Sequence, residues 1–179
     1  MPMSNEGIID ALEKTAKLME LHEANAFKSK AYAAAAFRLS KMRFDFTGKT
    51  REDIENIEGV GKSISAKIFE LMDKGTMSDL EDLLAKTPAG VVDMLGIKGL
   101  GPKKVRQLWL DLQLESVGEL LYACTENRLI SLKGFGEKTQ QQVKQSIEFA
   151  TANSNKFHYA ALHRPVQSML DAIRADYPA

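Results

Sequence analysis

Apolar residues recur at intervals of three and four along most of this chain, and no stretch alternates apolar and polar residues as a half-buried strand would. The spacing of Ile8, Leu12 and Met19 predicts a first helix, for which Ser4 is the expected amino-terminal cap. The alanine-rich stretch 31–37 predicts a second helix, because alanine has the highest intrinsic helix propensity. The pattern therefore predicts an all-α protein.

The clearest internal pattern is a motif that occurs three times. Each copy has two apolar residues three positions apart, then one residue, then two glycines that flank a single apolar residue. One such turn is common, but three matching copies indicate a reused unit. We interpret each copy as a helix, a tight hairpin and a second helix. The copies are Ile54/Ile57 with Gly59-Val60-Gly61, Met94/Ile97 with Gly99-Leu100-Gly101, and Leu129/Leu132 with Gly134-Phe135-Gly136.

The turns of this motif predict contact with a DNA backbone. A glycine adopts backbone angles that a Cβ would forbid, and the apolar residue between the glycines can fill the space between the two helices. The helix after the turn presents unpaired backbone N–H groups and the positive end of its dipole, which suit a phosphate. The third copy, with Glu137 directly after its turn, is the one least expected to touch DNA. The candidate DNA-binding residues here are Gly59, Val60, Gly61, Lys62, Ser63, Gly99, Leu100, Gly101, Lys103, Lys104, Gly134, Gly136 and Lys138.

Capping residues mark the expected helix boundaries. Thr50 with Asp53 has the spacing of a capping box, and Ser78 with Glu81 has the same spacing. Gly75 is the expected end of the helix that follows the first hairpin. We therefore expect two small helical domains with repeated helix-hairpin-helix motifs, over residues 1–84 and 85–152, and a C-terminal helix over 153–179.

The charges of the chain balance, with 24 Lys and Arg residues against 24 Asp and Glu residues. Their distribution is uneven, because residues 51–84 hold four basic and nine acidic side chains. Lys98, Lys103, Lys104 and Arg106 instead surround the second hairpin. A local basic patch of this kind can bind phosphate without a net positive charge, and its binding would weaken with salt.

Several function classes are excluded by what the sequence lacks. No apolar run is long enough to span a membrane, and the start lacks the regions of a signal peptide. The single cysteine, Cys124, excludes an internal disulfide and favours a reducing cytoplasm. His22, His158 and His163 lack metal-ligand spacing, and no carboxylate pair indicates a two-metal phosphoryl-transfer site.

Lys67 is a candidate nucleophile. It lies on the helix after the first hairpin, six residues beyond Gly61. A lysine amine forms a Schiff base with an aldehyde when burial or neighbouring cations lower its pKa, and Lys28 and Lys62 are candidate neighbours. The alternative is a solvated lysine on a helix surface.

Five runs of the chain resemble the amino-terminal region of family X DNA polymerases, most closely the bacterial branch. They are ALEKTAKLMEL over 11–21, NAFKSKAY over 25–32, IEGVGKSISAKI over 57–68, GIKGLGPKK over 96–104 and LKGFGEKT over 132–139. In polymerases similar to polymerase beta, the lysine at the position of Lys67 forms the imine that removes a 5′-deoxyribose phosphate. The resemblance implies that Lys28 binds the 5′-phosphate, that Phe27 stacks on a base and that Tyr32 assists the lyase pocket.

The resemblance also implies a monovalent cation, Na⁺ or K⁺, held by hairpin carbonyls and bridging to phosphate. Its ligands would be the carbonyls near Glu55, Ile57 and Val60 and those near Leu95, Ile97 and Leu100. The chain departs from the family at Ala33, Ala34, Ser63 and Ala66, where basic or acidic residues are frequent. The carboxylates that bind Mg²⁺ belong to a palm domain, and the sequence contains no such region, so we expect no polymerisation by this chain alone.

Three functions stay open at this point. The first is a repair module that grips gapped or nicked DNA carrying a 5′-phosphate, needs no cofactor, and works as a cytoplasmic bacterial monomer. The second adds 5′-deoxyribose-phosphate lyase activity through Lys67. The third is a helical scaffold for protein interactions, because repeated helix pairs also build docking surfaces.

Overall fold

The computed structural model describes residues 3–154, and these form helices joined by short turns, without a strand. The expectation of an all-α fold is thereby confirmed for this part of the chain. The predicted helix over 153–179 lies outside the described residues, apart from the last positions of α9. The helices are α1 Asn5–Leu21, α2 Ala26–Met42, α3 Arg51–Glu55, α4 Lys62–Lys74, α5 Ser78–Leu84, α6 Ala89–Met94, α7 Pro102–Leu112, α8 Val117–Thr125 and α9 Glu137–Ser154.

The long helices α1 and α2 pack against each other and form the first part of the core. Leu12 and Leu18 of α1 and Tyr32 and Leu39 of α2 are fully buried. Each large apolar side chain removed from water contributes roughly 1.5–3 kcal/mol before entropy is subtracted. Among the described residues, no helix is long and apolar enough to cross a membrane.

The helix boundaries confirm some capping predictions and correct others. Ser4 caps α1 by accepting a hydrogen bond from the Gly7 amide, and the Thr50–Asp53 capping box is present. Gly75 ends α4 in the left-handed conformation, as predicted. The capping box at Ser78 was wrong, because Ser78 is already the first residue of α5 and Met77 occupies the cap position. The Ser78 hydroxyl is used by Lys67 instead, which donates to it over 2.6 Å.

The three glycine motifs fold into hairpins of one geometry. The first glycine of each pair has a positive φ, 88° at Gly59, 94° at Gly99 and 87° at Gly134. The amide of the residue between the glycines donates to the carbonyl three positions earlier, as from Val60 to Ile57 over 2.9 Å. The third copy differs on its amino-terminal side, where a 3₁₀ turn over Leu129–Ser131 replaces the expected α-helix.

The two halves of the chain contact each other through α1 and α7. Arg106 of α7 donates to the carbonyl of Leu21 over 3.0 Å and pairs with Glu23 over 3.0 Å. Its guanidinium therefore bonds to the end of α1, so its charge is already partnered there. His22 lies at the same junction, with its Nε2 2.7 Å from the Thr87 hydroxyl and its ring edge-to-face with Trp109.

Candidate functional site

The residue between the two glycines is buried in every hairpin. Val60 is 1% exposed, Leu100 is 5% exposed and Phe135 is 4% exposed. The expectation that these side chains fill the space between helices is confirmed. The adjoining glycines are exposed, and a Cβ at Gly59, Gly61, Gly99 or Gly101 would meet no protein atom within 4 Å. The glycine backbone therefore lies open to solvent at both of these turns.

The helices that begin at the first two hairpins have open amino termini. Gly61 and Gly101 occupy the cap positions and offer no side chain to their helices. Lys62, Ser63 and Lys103 are exposed directly beyond the caps. Backbone N–H groups at such a terminus, together with adjacent ammonium groups, are suited to bind phosphate oxygens.

The second and third hairpins lie next to each other. The Lys104 ammonium is 5.4 Å from the centre of the Phe135 ring, which places a cation over the third hairpin. Gln107 of α7 donates a hydrogen bond of 3.4 Å to the Lys133 carbonyl. Lys104 is half-buried, whereas Lys103 and Lys138 are exposed. The second and third hairpins therefore contact each other through Lys104 and Gln107.

The residue before the first glycine differs among the hairpins. It is Lys98 in the second and Lys133 in the third, but Glu58 in the first. Arg38 of α2 forms an ion pair with the Glu58 carboxylate and donates to its backbone carbonyl over 3.2 Å. The arginine neutralises the acid beside the first turn and holds that turn against α2. Sequence reasoning missed Arg38, which lies 20 residues away from its partner.

A polar cluster joins α2, α4 and α5 around the carboxylate of Asp79. Lys28 lies 2.6 Å from Oδ2 of Asp79, and the Tyr32 hydroxyl donates to the same oxygen over 2.7 Å. Lys67 lies 3.2 Å from Oδ1 of Asp79 and 3.0 Å from Glu70. We call these five residues the Asp79 cluster. The structure therefore brings Lys28, Tyr32 and Lys67 together as predicted, but it places a carboxylate between them.

The electrostatics of the Asp79 cluster oppose a neutral lysine. Burial lowers the pKa of Lys67, but its hydrogen bonds to Glu70 and Asp79 outweigh burial and leave the pKa raised. Burial raises the pKa of Asp79, but hydrogen bonds from Lys28, Tyr32 and Lys67 outweigh it and bring the pKa to about 2. Burial and the Asp79 carboxylate raise the pKa of Tyr32. At neutral pH Lys67 is an ammonium ion with no lone pair, so the lowered pKa expected of a nucleophile is not found.

Phe27 stands outside the Asp79 cluster. It lies in the first turn of α2, where Asn25 caps the helix by accepting from the amides of Phe27 and Lys28. Its side chain is 85% exposed, which is unusual for a large apolar residue and leaves its ring free for stacking. Base stacking by Phe27 stays a prediction.

The predicted cation ligands are backbone carbonyls at matching places in two hairpins. The carbonyls of Ile57 and Ile97 each accept one hydrogen bond, from Val60 and Leu100. A carbonyl oxygen has a second lone pair, so these two oxygens fit a ligand role. Glu55 ends α3 and Leu95 caps α6. Among the described residues, no group of His, Cys, Asp or Glu side chains is arranged to hold a metal ion.

Sequence reasoning missed Asp79 and Glu70 as members of the Asp79 cluster. Asp79 had an adequate local explanation, since a carboxylate in the first turn of a helix is stabilised by the helix dipole. The role of Asp79 depends on a tertiary contact that no local pattern predicts, because 47 residues separate Tyr32 from Asp79.

Comparison with known proteins agrees with the repeated hairpins. Residues 3–77 match the family of helix-hairpin-helix domains, and residues 91–148 match the family of SAM-like helix-hairpin-helix tandems. A relative from Bacillus subtilis (strain 168), described as "DNA polymerase/3′-5′ exonuclease PolX", is 33% identical over 155 residues. That match covers 87% of this chain and 27% of the relative. The chain thus spans about a quarter of the relative's length, and the activities in that description are those of the longer protein. Together, the hairpins and these matches show that the chain contains two helix-hairpin-helix regions and that 87% of it is similar to part of this polymerase/exonuclease relative.

Proposed function

We propose that this chain grips the phosphate backbone of gapped or nicked DNA through its hairpins, without reading the bases. The observation that carries the proposal is the shared turn geometry, with φ of 88°, 94° and 87° at the first glycine of the three hairpins. A hairpin that exposes backbone amides and lysines contacts phosphates, which are the same for every sequence. The second hairpin is the main contact, since Lys98 and Lys103 are both exposed there.

The preference for a gap or nick, with its 5′-phosphate near Lys28, is the finer part of the proposal. It is supported by the resemblance to family X polymerases and by two helix-hairpin-helix regions in one chain, which can hold the duplex on either side of an interruption. The chain acts on DNA as a monomer in the cytoplasm. No divalent ion is needed, because the hairpins supply amide and ammonium groups, so EDTA should leave the Kd unchanged. A monovalent ion at the Ile57 and Ile97 carbonyls would strengthen binding in KCl relative to tetramethylammonium chloride.

The test is the affinity of the chain for a duplex with a one-nucleotide gap, measured by fluorescence anisotropy at low salt. Lys103→Glu should weaken binding at least tenfold, since it removes a phosphate contact and adds a repelled charge. Lys14→Glu is the matched control, because Lys14 is an exposed residue of α1 and the charge change is the same. Equal affinities of the two variants would contradict the proposal and favour a protein-interaction scaffold.

A second candidate function is 5′-deoxyribose-phosphate lyase activity, favoured by the convergence of Lys28, Tyr32 and Lys67. The Lys67 nitrogen would attack the C1′ aldehyde, water would leave, and borohydride would reduce the resulting C=N bond to a secondary amine. Because Lys67 is protonated at neutral pH, we expect weak trapping at pH 7 that increases toward pH 9. Trapping that survives Lys67→Ala would remove this lysine as the nucleophile.

A further inference from the structure

The Asp79 cluster has the composition of a phosphate site that already holds an anion. Two ammonium groups and one phenol converge on the Asp79 carboxylate, at 2.6 Å from Lys28, 3.2 Å from Lys67 and 2.7 Å from Tyr32. Charge-assisted bonds from lysine to a phosphate oxygen have the same donors and the same lengths. Asp79 therefore already accepts the bonds that Lys28, Lys67 and Tyr32 would otherwise donate to a terminal phosphate.

The Asp79 cluster has no excess positive charge with which to bind a second anion. Lys28 and Lys67 carry two positive charges, and Asp79 and Glu70 carry two negative charges at neutral pH. Lys74 adds little, since it is 64% exposed and lies 3.9 Å from Glu70. A phosphate that enters the cluster must displace the carboxylate or share its donors against like-charge repulsion.

We propose that Asp79 acts as an internal anion that occupies the 5′-phosphate position and suppresses discrimination between 5′-phosphorylated and 5′-hydroxyl ends. The inference rests on the proposed function, because it concerns the end of a gapped DNA already held by the hairpins. The natural chain then binds both kinds of end with similar affinity. Neutralising Asp79 frees Lys28, Lys67 and Tyr32 for the phosphate.

The surroundings of Asp79 make this exchange feasible. The side chain of Lys28 is 42% exposed, so the cluster is open to solvent on the side of α2. The start of α5 is held independently, because Glu70 accepts from the Ser78 amide over 3.1 Å. Met77 is fully buried and Leu80 is nearly so, which anchors both sides of Asp79. Loss of the carboxylate should therefore change the charge of the cluster while α5 stays in place.

The experiment compares gapped duplexes that differ only in a 5′-phosphate or a 5′-hydroxyl at the gap. For the natural chain we expect the two Kd values to agree within about twofold, and for Asp79→Asn we expect the phosphorylated duplex to bind about tenfold tighter than the hydroxyl duplex. Asp82→Asn makes the same charge change at an exposed residue of α5 and should leave the ratio unchanged. Asp79→Glu keeps the negative charge and should not gain discrimination.

The two duplexes together separate the two proposals. If neither duplex binds the natural chain, the proposed function is wrong. Inorganic phosphate then tests Asp79 alone, by NMR shifts of the lysine Nζ groups, and should perturb Lys28 and Lys67 in Asp79→Asn far more than in the natural chain. A natural chain that already prefers the phosphorylated duplex tenfold, or an Asp79→Asn ratio equal to that of Asp82→Asn, would overturn the role of Asp79.

Discussion

At the scale of single residues, Asp79 accepts hydrogen bonds from three groups around it. Lys28, Tyr32 and Lys67 come from two different helices, and each of them bonds to this one carboxylate. A carboxylate with three donors is strongly favoured in its ionised form. The same bonds that stabilise the fold thus keep Lys67 protonated, so stability and nucleophilic reactivity oppose each other at this position.

The stability that Asp79 contributes should depend on acid pH. Its pKa is about 2 in the folded chain, against an ordinary value of 3.8. A lowered folded pKa means that the contribution is complete above about pH 4 and is lost as the pH falls toward 2. We expect Asp79→Asn to melt below the natural chain at pH 6, with the difference in Tm shrinking toward zero near pH 2. A difference that stays constant over this range would show that the charge of Asp79 contributes nothing.

Gly90 is a residue whose small size is required by packing. A Cβ there would overlap the Glu115 carbonyl oxygen and lie 2.8 Å from the Cα of Ser116, both backbone atoms. Gly90→Ala should therefore lower the free energy of unfolding by about 1–3 kcal/mol, as overpacking does. Gly118→Ala is the control, because its nearest neighbour would be the Ser116 hydroxyl at 4.0 Å. Urea denaturation measures both, and equal effects would contradict the packing argument.

At the scale of elements, the hairpin is the unit that the sequence specifies best. Its glycine spacing predicts the turn, and its apolar residues predict the buried side chain, because both requirements are local. The start of α5 and the 3₁₀ turn before the third hairpin were not predictable in this way. At the start of α5, the Ser78 hydroxyl accepts a hydrogen bond from Lys67 of α4, and the Ser78 amide donates one to Glu70 of α4. A contact between helices thus replaces the local capping pattern.

The two glycines of a hairpin should differ in what they tolerate. Gly99 has a φ of 94°, whereas Gly101 has a φ of −85°, and a Cβ at either would meet open space. Gly99→Ala should cost about 1–2 kcal/mol of stability from backbone strain alone. Gly101→Ala should cost less stability, yet weaken binding of gapped DNA, because its methyl group would stand where a phosphate approaches the start of α7. A Gly101→Ala variant with unchanged Kd would exclude close approach of the DNA backbone to this turn.

At the scale of the whole molecule, Arg106 of α7 and the end of α1 join the two halves of the chain. Composition and periodicity predict two domains but not the contact between Arg106 and Leu21, which are 85 residues apart. The basic residues near the second hairpin looked equivalent in the sequence. In the fold, Lys103 is exposed to solvent while Arg106 bonds to the end of α1, so only the tertiary structure separates a free surface charge from one that joins two helices.

Arg106 makes two contacts at the junction, and we expect them to differ in how much they stabilise the chain. The pair with Glu23 is a surface contact, since Glu23 is 70% exposed, and such pairs contribute about 0–1 kcal/mol. The bond to the Leu21 carbonyl places a cation at the carboxyl end of α1, where a charged donor contributes about 1.5–3 kcal/mol. Arg106→Ala should therefore destabilise the chain far more than Glu23→Gln in urea denaturation, and Lys103→Ala on the same helix should have little effect. If Glu23→Gln were as damaging as Arg106→Ala, the ion pair and not the carbonyl bond would hold the two halves together.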